Sequence, residues 1–314
     1  NINHRSSNER FRLNLSTSYT HEDNLVPSID LSSQAYTLAP NAPALYDEEG
    51  NLNWENNAWN NPLASLEEKV GVKSSTVLAN AMLSYELWEG LELRSSLGYT
   101  DYRLDSYRTL PSSARNPRFN FTPQNYSSLT TNQSQRTSWI VEPQLQWKQQ
   151  WDVLSMDVLV GTTFQQETTE QLVLRGQGFP TNALINNMAA ADEVEARGST
   201  DSDYRYNAVF GRVNLQLLDR YILNLTGRRD GSSRFGPGRQ FGNFGAVGLA
   251  WIFSKEKLFP ESAFLSFGKL RGSYGTTGSD NIGDYQFLDT YTVVGEDYAG
   301  VSVLSPTGIF NPAF

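Results

Sequence analysis

The chain has 314 residues, no cysteine, only two histidines (His4 and His21) and a net charge of −9. Disulfide frameworks and thiol chemistry are excluded, His-based metal sites and catalytic triads nearly so, and the acidic balance argues against a nucleic-acid partner. The mean hydropathy is −0.47, and the longest clear apolar run, Ala246 to Phe253, is far short of the roughly 20 residues of a spanning helix. A barrel strand needs only about 9–11 residues with every second one apolar, and such a chain looks polar on average.

Period-two alternation dominates the chain. Phe11, Leu13, Leu15, Thr17 and Tyr19 alternate with Arg12, Asn14, Ser16 and Ser18. Further strands are expected at Ser75–Glu86, Leu91–Arg103, Ser138–Trp147, Val153–Phe164, Tyr206–Leu217, Tyr221–Arg228, Gly242–Phe253 and Phe267–Thr277, with another near Phe287–Val294. Side chains on a strand point to opposite faces in turn, so each segment has one apolar and one mostly polar face. Phe11 and Tyr19, and likewise Trp139 and Trp147, put aromatics at both ends of an apolar face. Eight residues on a strand tilted by about 40° cover roughly 20 Å of depth, close to the ~25 Å apolar band of outer-membrane barrels.

The connections alternate in length. Leu87–Gly90, Lys148–Asp152 and Leu218–Arg220 are tight, and Lys255–Ala263 is somewhat longer. Thr20–Ser74, Leu104–Gln135 and Gln165–Tyr204 are long, polar and rich in Asn, Ser, Pro and Gly. Short periplasmic turns and long extracellular loops are the pattern of outer-membrane barrels. Short helices are expected around Leu184–Glu195. No composition shift divides the chain, so residues 1–314 read as one all-β unit.

The C-terminal half carries a long ordered signature: Gly211-Arg-Val-Asn-Leu215, Asp219-Arg-Tyr221, then Arg228-Arg229-Asp230-Gly231-Ser232-Ser233-Arg234-Phe235-Gly236. Phe241-Gly-Asn-Phe244, Trp251, Leu270-Arg-Gly-Ser-Tyr-Gly275, Gly278 and Ile282-Gly-Asp-Tyr285 follow. These motifs resemble the SusC family (SusC/RagA) of TonB-dependent outer-membrane transporters of Bacteroidota. Weaker likeness extends to Asn61-Pro-Leu-Ala64, Gly90-Leu-Glu-Leu-Arg94 and Asn311-Pro312.

The resemblance implies an antiparallel up-and-down transmembrane β-barrel of about 22 strands with an N-terminal plug. It further implies import of oligosaccharides or peptides energised through TonB, and a SusD-like lipoprotein over the extracellular mouth. This chain supplies about half of such a barrel, without plug or TonB-contact segment, and Phe314 reads as a truncation point. An open half barrel leaves unpaired edges in lipid, so the chain is expected to be part of a longer polypeptide. The competing readings are a passive porin-like or adhesive barrel and a soluble β-rich binding protein.

Within the signature, Arg229, Asp230 and Arg234 could pair with one another or touch ligand. The structural alternative is a tight hairpin with Asp230-Gly231-Ser232-Ser233 as its turn. Gly236, Gly238, Gly242, Gly245 and Gly248 do not leave a strand to open a helix, so they are not a phosphate loop; Gly245 and Gly248 are expected to mark bends or close packing. Tyr46, Trp54 and Trp59 lie among asparagines in the first long loop, and Tyr107, Phe119, Phe121 and Tyr126 in or beside the second. These are the candidate ligand contacts, because an aromatic face stacks on a sugar ring while amides bond its hydroxyls. Acidic groups at Asp47-Glu48-Glu49, Asp192-Glu193 with Glu195, Asp201 with Asp203, and Asp280 with Asp284 leave loop calcium open. No pair of carboxylates or relay marks an enzyme.

Overall fold

A computed structural model describes residues 1–256, 266–298 and 301–308. Ten strands form one antiparallel sheet in strict chain order: β1 (Ile2–Arg5), β2 (Phe11–Pro27), β3 (Lys69–Trp88), β4 (Leu91–Leu110), β5 (Ser128–Gln150), β6 (Leu154–Gln177), β7 (Glu193–Leu217), β8 (Tyr221–Ser232), β9 (Phe241–Trp251) and β10 (Leu270–Gly275). Each strand pairs only with its neighbours in sequence, the up-and-down order of a barrel wall. β11 (Thr290–Tyr298) and β12 (Val301–Gly308) form a separate hairpin. The expected strand near Phe287–Val294 is therefore real but pairs outside the sheet. Asn311-Pro312 and Phe314 lie outside the described residues, as does most of the expected turn over Lys255–Ala263.

The sheet has two chemically distinct faces. Trp147, Val158, Val213, Leu225 and Val247 form one continuous cross-strand row from β5 to β9. Met156, Leu215, Leu223 and Leu249 form the next, and Leu154, Leu217, Tyr221 and Trp251 the last before the turns. Directly paired residues point to the same side, so these rows make one unbroken apolar surface. Aromatics mark its two ends: Trp147, Tyr221 and Trp251 toward the short turns, and the cross-strand pair Tyr99–Trp139 with Phe164 and Phe241 toward the long loops. Many of these side chains are exposed (Leu249 61%, Val209 56%, Phe241 53%). Lipid is the medium in which such a surface is stable.

The short turns lie where expected and are stitched together. Gly90 turns β3 into β4 with φ +81°, a conformation open to glycine. Leu218 and Asp219 both sit left-handed (φ 53° and 55°) in the three-residue connection between β7 and β8, and Arg220 N–H donates to the Leu217 carbonyl across them at 3.1 Å, a turn whose twist matches its strands. Lys148 N–H donates to Gly90 O, Leu218 N–H to Val153 O and Ile252 N–H to Arg220 O, so each turn is tied to the next. Glu256 gathers the rim near the last turn, accepting from Arg220 (2.8 Å), the Tyr221 hydroxyl (2.5 Å) and Trp251 Nε1 (3.1 Å). The Tyr221 and Trp251 bonds, with the Arg220 charge, hold its carboxyl below the usual value against the opposing effect of burial.

The strands run well past the aromatic level on the loop side. β5, β6 and β7 have 23, 24 and 25 residues, more than twice the about 9–11 that cross a membrane. The three long loops shrink accordingly to residues 28–68, 111–127 and 178–192. The short helices expected around Leu184–Glu195 are two single 3-10 turns, Asn182–Leu184 and Met188–Ala190, and β7 takes over from Glu193. No helix among the described residues is long and apolar enough to cross a membrane.

Candidate functional site

The face opposite the apolar rows is polar and hydrogen-bonded to itself. Gln146 Nε2 donates to both carboxylate oxygens of Asp157 at 2.9 Å, Thr163 Oγ1 donates to Glu142 at 2.8 Å, and Gln144 Nε2 donates to Glu142 at 2.7 Å. Gln146 Oε1 and Arg212 Nε are buried without a partner among the described residues. Groups of this kind are costly against hydrocarbon, so this side faces a watery or protein-filled lumen. Near it a groove of about 590 Å³ is bounded by Gln144, Phe210, Arg212, Arg228, Asp230 and Phe244.

The signature residues divide between the two faces. Arg228 points to the lumen, donating to Asp230 at 2.5 Å and to the Tyr206 hydroxyl at 2.6 Å. Arg229, next along the strand, points to the apolar side, with its guanidinium 5.1 Å from the Phe241 ring centre. The pair to Asp230 is therefore made by Arg228 and not by Arg229, because period two separates the adjacent arginines. The expected turn at Asp230–Ser233 is also displaced. Asp230, Gly231 and Ser232 remain in β8, paired with Ala208, Asn207 and Tyr206. The chain reverses later, with Gly238 at φ +84° and Arg239 N–H donating to the Gly236 carbonyl. Gly231 is needed for space: an added Cβ would lie 2.5 Å from Asn207 Oδ1 and 2.6 Å from Phe241 Cε1. Phe235 precedes the buried Gly236 on the same reversal.

Arg234 has a different partner set. Its Nε donates to Asp284 at 2.8 Å, its Nη1 donates to the Asp280 carbonyl at 3.1 Å, and its guanidinium lies 4.2 Å from the Tyr204 ring centre. The Tyr204 hydroxyl donates to Asp280 Oδ2 at 2.6 Å, and the Tyr285 hydroxyl accepts from Asp203 N–H at 3.0 Å. The second half of the signature, Ser279–Tyr285, is thus fastened over β7 by the first. Burial works to raise the Asp280 carboxyl, but hydrogen bonds from Tyr204 and Ser232 and the Arg234 charge outweigh it and hold the group below its ordinary range.

The first two long loops clamp together. Glu68, with its side chain almost fully buried, accepts from Arg108 (3.1 Å), Arg115 (3.0 Å) and the Ser28 hydroxyl (2.8 Å). Asn116 Nδ2 donates to the Asn57 and Trp59 carbonyls at 3.1 and 2.9 Å. Asn61 Nδ2 donates to the Leu45 carbonyl at 2.6 Å, while its Oδ1 accepts from Leu63 N–H at the start of the 3-10 turn Pro62–Glu67. Between the loops lies a groove of about 750 Å³ bounded by Trp54, Trp59, Asn60, Asn61, Arg115 and Phe119.

The seven candidate ligand residues separate here. Trp54 and Trp59 border the groove together. Tyr46 stands apart, 55% exposed and bridged to Leu52 in a small hairpin. Tyr107 packs over Gly71 and against the buried cluster of Leu129, Phe179 and Ile185, which seats the third loop. Phe119, Phe121 and Tyr126 stack in series, with ring centres 5.6 and 4.3 Å apart, and Arg115 donates to the Tyr126 hydroxyl. The clamp through Glu68 and Asn116 has no signal in the sequence, where each reads as one more polar loop residue.

The acidic clusters are engaged individually. Asp47 accepts from Asn51 N–H within a turn, Asp192 accepts from Gln124, and Asp280 and Asp284 serve Tyr204 and Arg234. Among the described residues, no three His, Asp or Glu side chains converge as metal ligands would.

No family model matches the chain. A TonB-dependent receptor, P3, of Formosa agariphila is 27% identical over 284 residues, covering 88% of this chain and 28% of the relative. The TonB-dependent receptor SusC of Bacteroides thetaiotaomicron is 37% identical over 125 residues, covering 40% of this chain and 12% of the relative. The chain spans about a quarter of the length of the Formosa relatives P3 and P39 (28% and 25%). Among solved structures, the RagAB peptide transporter superposes with a TM-score of 0.78 at 19% identity, covering 98% of this chain and 35% of that one. That likeness shows the fold: ten consecutive antiparallel strands with long loops at one rim are a barrel wall. Along most of its length the chain is thus similar to the SusC-like TonB-dependent receptors of the outer membrane, and its two-faced sheet has the fold of a continuous segment of such a β-barrel.

Proposed function

We propose that this wall segment serves active, TonB-energised import of an oligosaccharide or a peptide across the outer membrane, with a SusD-like lipoprotein seated over the long loops. The observation that carries the reading is the opposition of an unbroken apolar face to a self-bonded polar one. A wall of that kind separates lipid from an aqueous path, and the homologous receptors bear TonB-dependence in their names. The RagAB transporter is described as carrying peptides, so peptide stands beside oligosaccharide as cargo.

Ligand capture is assigned to the groove between residues 28–68 and 111–127. Two tryptophans supply faces for stacking, and Asn60, Asn61 and Arg115 supply polar partners. The Glu68 clamp fixes that groove before ligand arrives, which limits the ordering cost of binding. The lumen-facing amides, carboxylates and arginines then form a hydrated path in which no bond of the cargo is made or broken. The test is uptake by the full-length transporter in cells with and without an energised inner membrane. Import that stops when energy coupling is removed supports the proposal. Flux through the reconstituted full-length protein without any energy source would instead favour a passive pore.

A further inference from the structure

Between its two aromatic levels, the lipid-facing side of β2–β10 carries a single charged residue among those described, Arg229. It shares a cross-strand row with Val209 and Asn243, one residue pair inside Phe241. Its guanidinium rests against that ring at 5.1 Å, and no acceptor among the described residues bonds to it. Arg228 beside it, on the other face, has both a carboxylate and a hydroxyl. The difference is one of facing, since a lumen arginine finds partners in the wall and a lipid-facing one must find them in the membrane.

We propose that Arg229 binds the phosphate of an anionic lipid headgroup in the outer leaflet. Its height suits that partner. The residue lies just inside the aromatic level of the loop-side rim, where headgroups meet hydrocarbon, and a long cationic side chain there extends toward the interface. A guanidinium offers two parallel N–H donors that match two phosphate oxygens. Asn207 and Asn243 flank it on the same face and add amide donors. Below it, a Cβ built on Gly227 would meet nothing within 4 Å, so the space under the guanidinium is open to an acyl chain. Charge complementarity selects an anionic lipid over a zwitterionic one.

The test uses the full-length transporter in nanodiscs of mixed phosphatidylcholine and phosphatidylglycerol, with retained lipids counted by native mass spectrometry. Arg229→Gln should lower the enrichment of phosphatidylglycerol about fivefold, the effect of one basic residue at an anionic surface. Arg229→Lys keeps the charge and loses the fork, so it should fall between the two. Inorganic phosphate added to the buffer should not displace the retained lipid. Equal enrichment in all three proteins would overturn the proposal, and so would displacement by inorganic phosphate, which would mark a free-anion site. Import is not measured, so the outcome is independent of the transport reading.

Discussion

Arg234 and Asp284, fifty positions apart in the chain, meet in a charged hydrogen bond of 2.8 Å. Together with Tyr204 and Asp280 they fasten the segment after β10 to the top of β7. Replacing Arg234 by Ala should release residues 276–285, at a cost of about 1–3 kcal/mol for a partly shielded charged bond. Hydrogen exchange on the full-length protein would show this as faster exchange confined to that segment. Arg234→Lys should restore only part of the protection, because lysine cannot serve Asp284 and the Asp280 carbonyl with one planar fork. Unchanged exchange in the alanine variant would contradict the assignment.

The same latch has a predictable response to pH. The Asp280 carboxyl is held below its ordinary value of 3.8. A depressed carboxylate contributes stability that is fully present above its unfolded pKa and is lost as pH falls through the folded one. The segment should therefore stay latched from neutral pH down to about 4 and loosen only below that. Asp280→Asn should weaken it at neutral pH and flatten the acid response. Exchange rates that already rise between pH 7 and 5 would contradict this origin.

The loop aromatics should separate by phenotype. Trp54→Ala and Trp59→Ala should each weaken binding of the cargo by about three- to tenfold, in line with the ~0.5–1.5 kcal/mol of an aromatic face contact, with little change in melting temperature. Tyr107→Ala should do the reverse, lowering stability while leaving affinity near wild type, because its ring lies over Gly71 and on the Leu129–Phe179–Ile185 cluster. Calorimetry and thermal unfolding of the intact transporter distinguish the two classes. Affinity lost through Tyr107 and kept without the tryptophans would move the site.

These distinctions show what the sequence could and could not reveal. Alternation is sharp from Tyr221 to Arg228 because lipid on one side and water on the other demand opposite chemistries. It disappears in Glu193–Asp203, where both faces of β7 are wet, so this first part of β7, ahead of the expected Tyr206–Leu217, shows itself only through its pairing with β6. Asp230-Gly231 has the composition of a turn, yet three residues before Asp230 in the ladder Gly227 is already paired with Gly211, and the register carries β8 onward to Ser232. Local turn preference is a small effect beside continued backbone bonding. Arg234–Asp284 and Glu68–Arg115 join distant segments through side chains, and no spacing rule exposes such pairs. β1 is four residues long, too short for a period to show.

The two faces should differ in their tolerance of charge. Leu225→Arg, on the apolar rows, should cost about 2–4 kcal/mol near the bilayer midplane. Asn224→Arg, the next residue and on the lumen side, should cost far less. Folding titrations of the full-length barrel into lipid vesicles would report both, and equal penalties would be inconsistent with the assigned facing.

The most direct test of the account is a cysteine scan through β8 and β9, made clean within this segment by the absence of native cysteine. Single cysteines at residues 221–226 and 246–251 of the full-length protein would carry a fluorophore, quenched either from lipid tails or from water. The account predicts strict alternation: lipid quenching at Tyr221, Leu223, Leu225, Val247, Leu249 and Trp251, and aqueous quenching at Ile222, Asn224, Thr226, Ala246, Gly248 and Ala250. Quenching without period two, or with the two sets exchanged, would contradict the claim that this chain is a wall between lipid and a transport lumen.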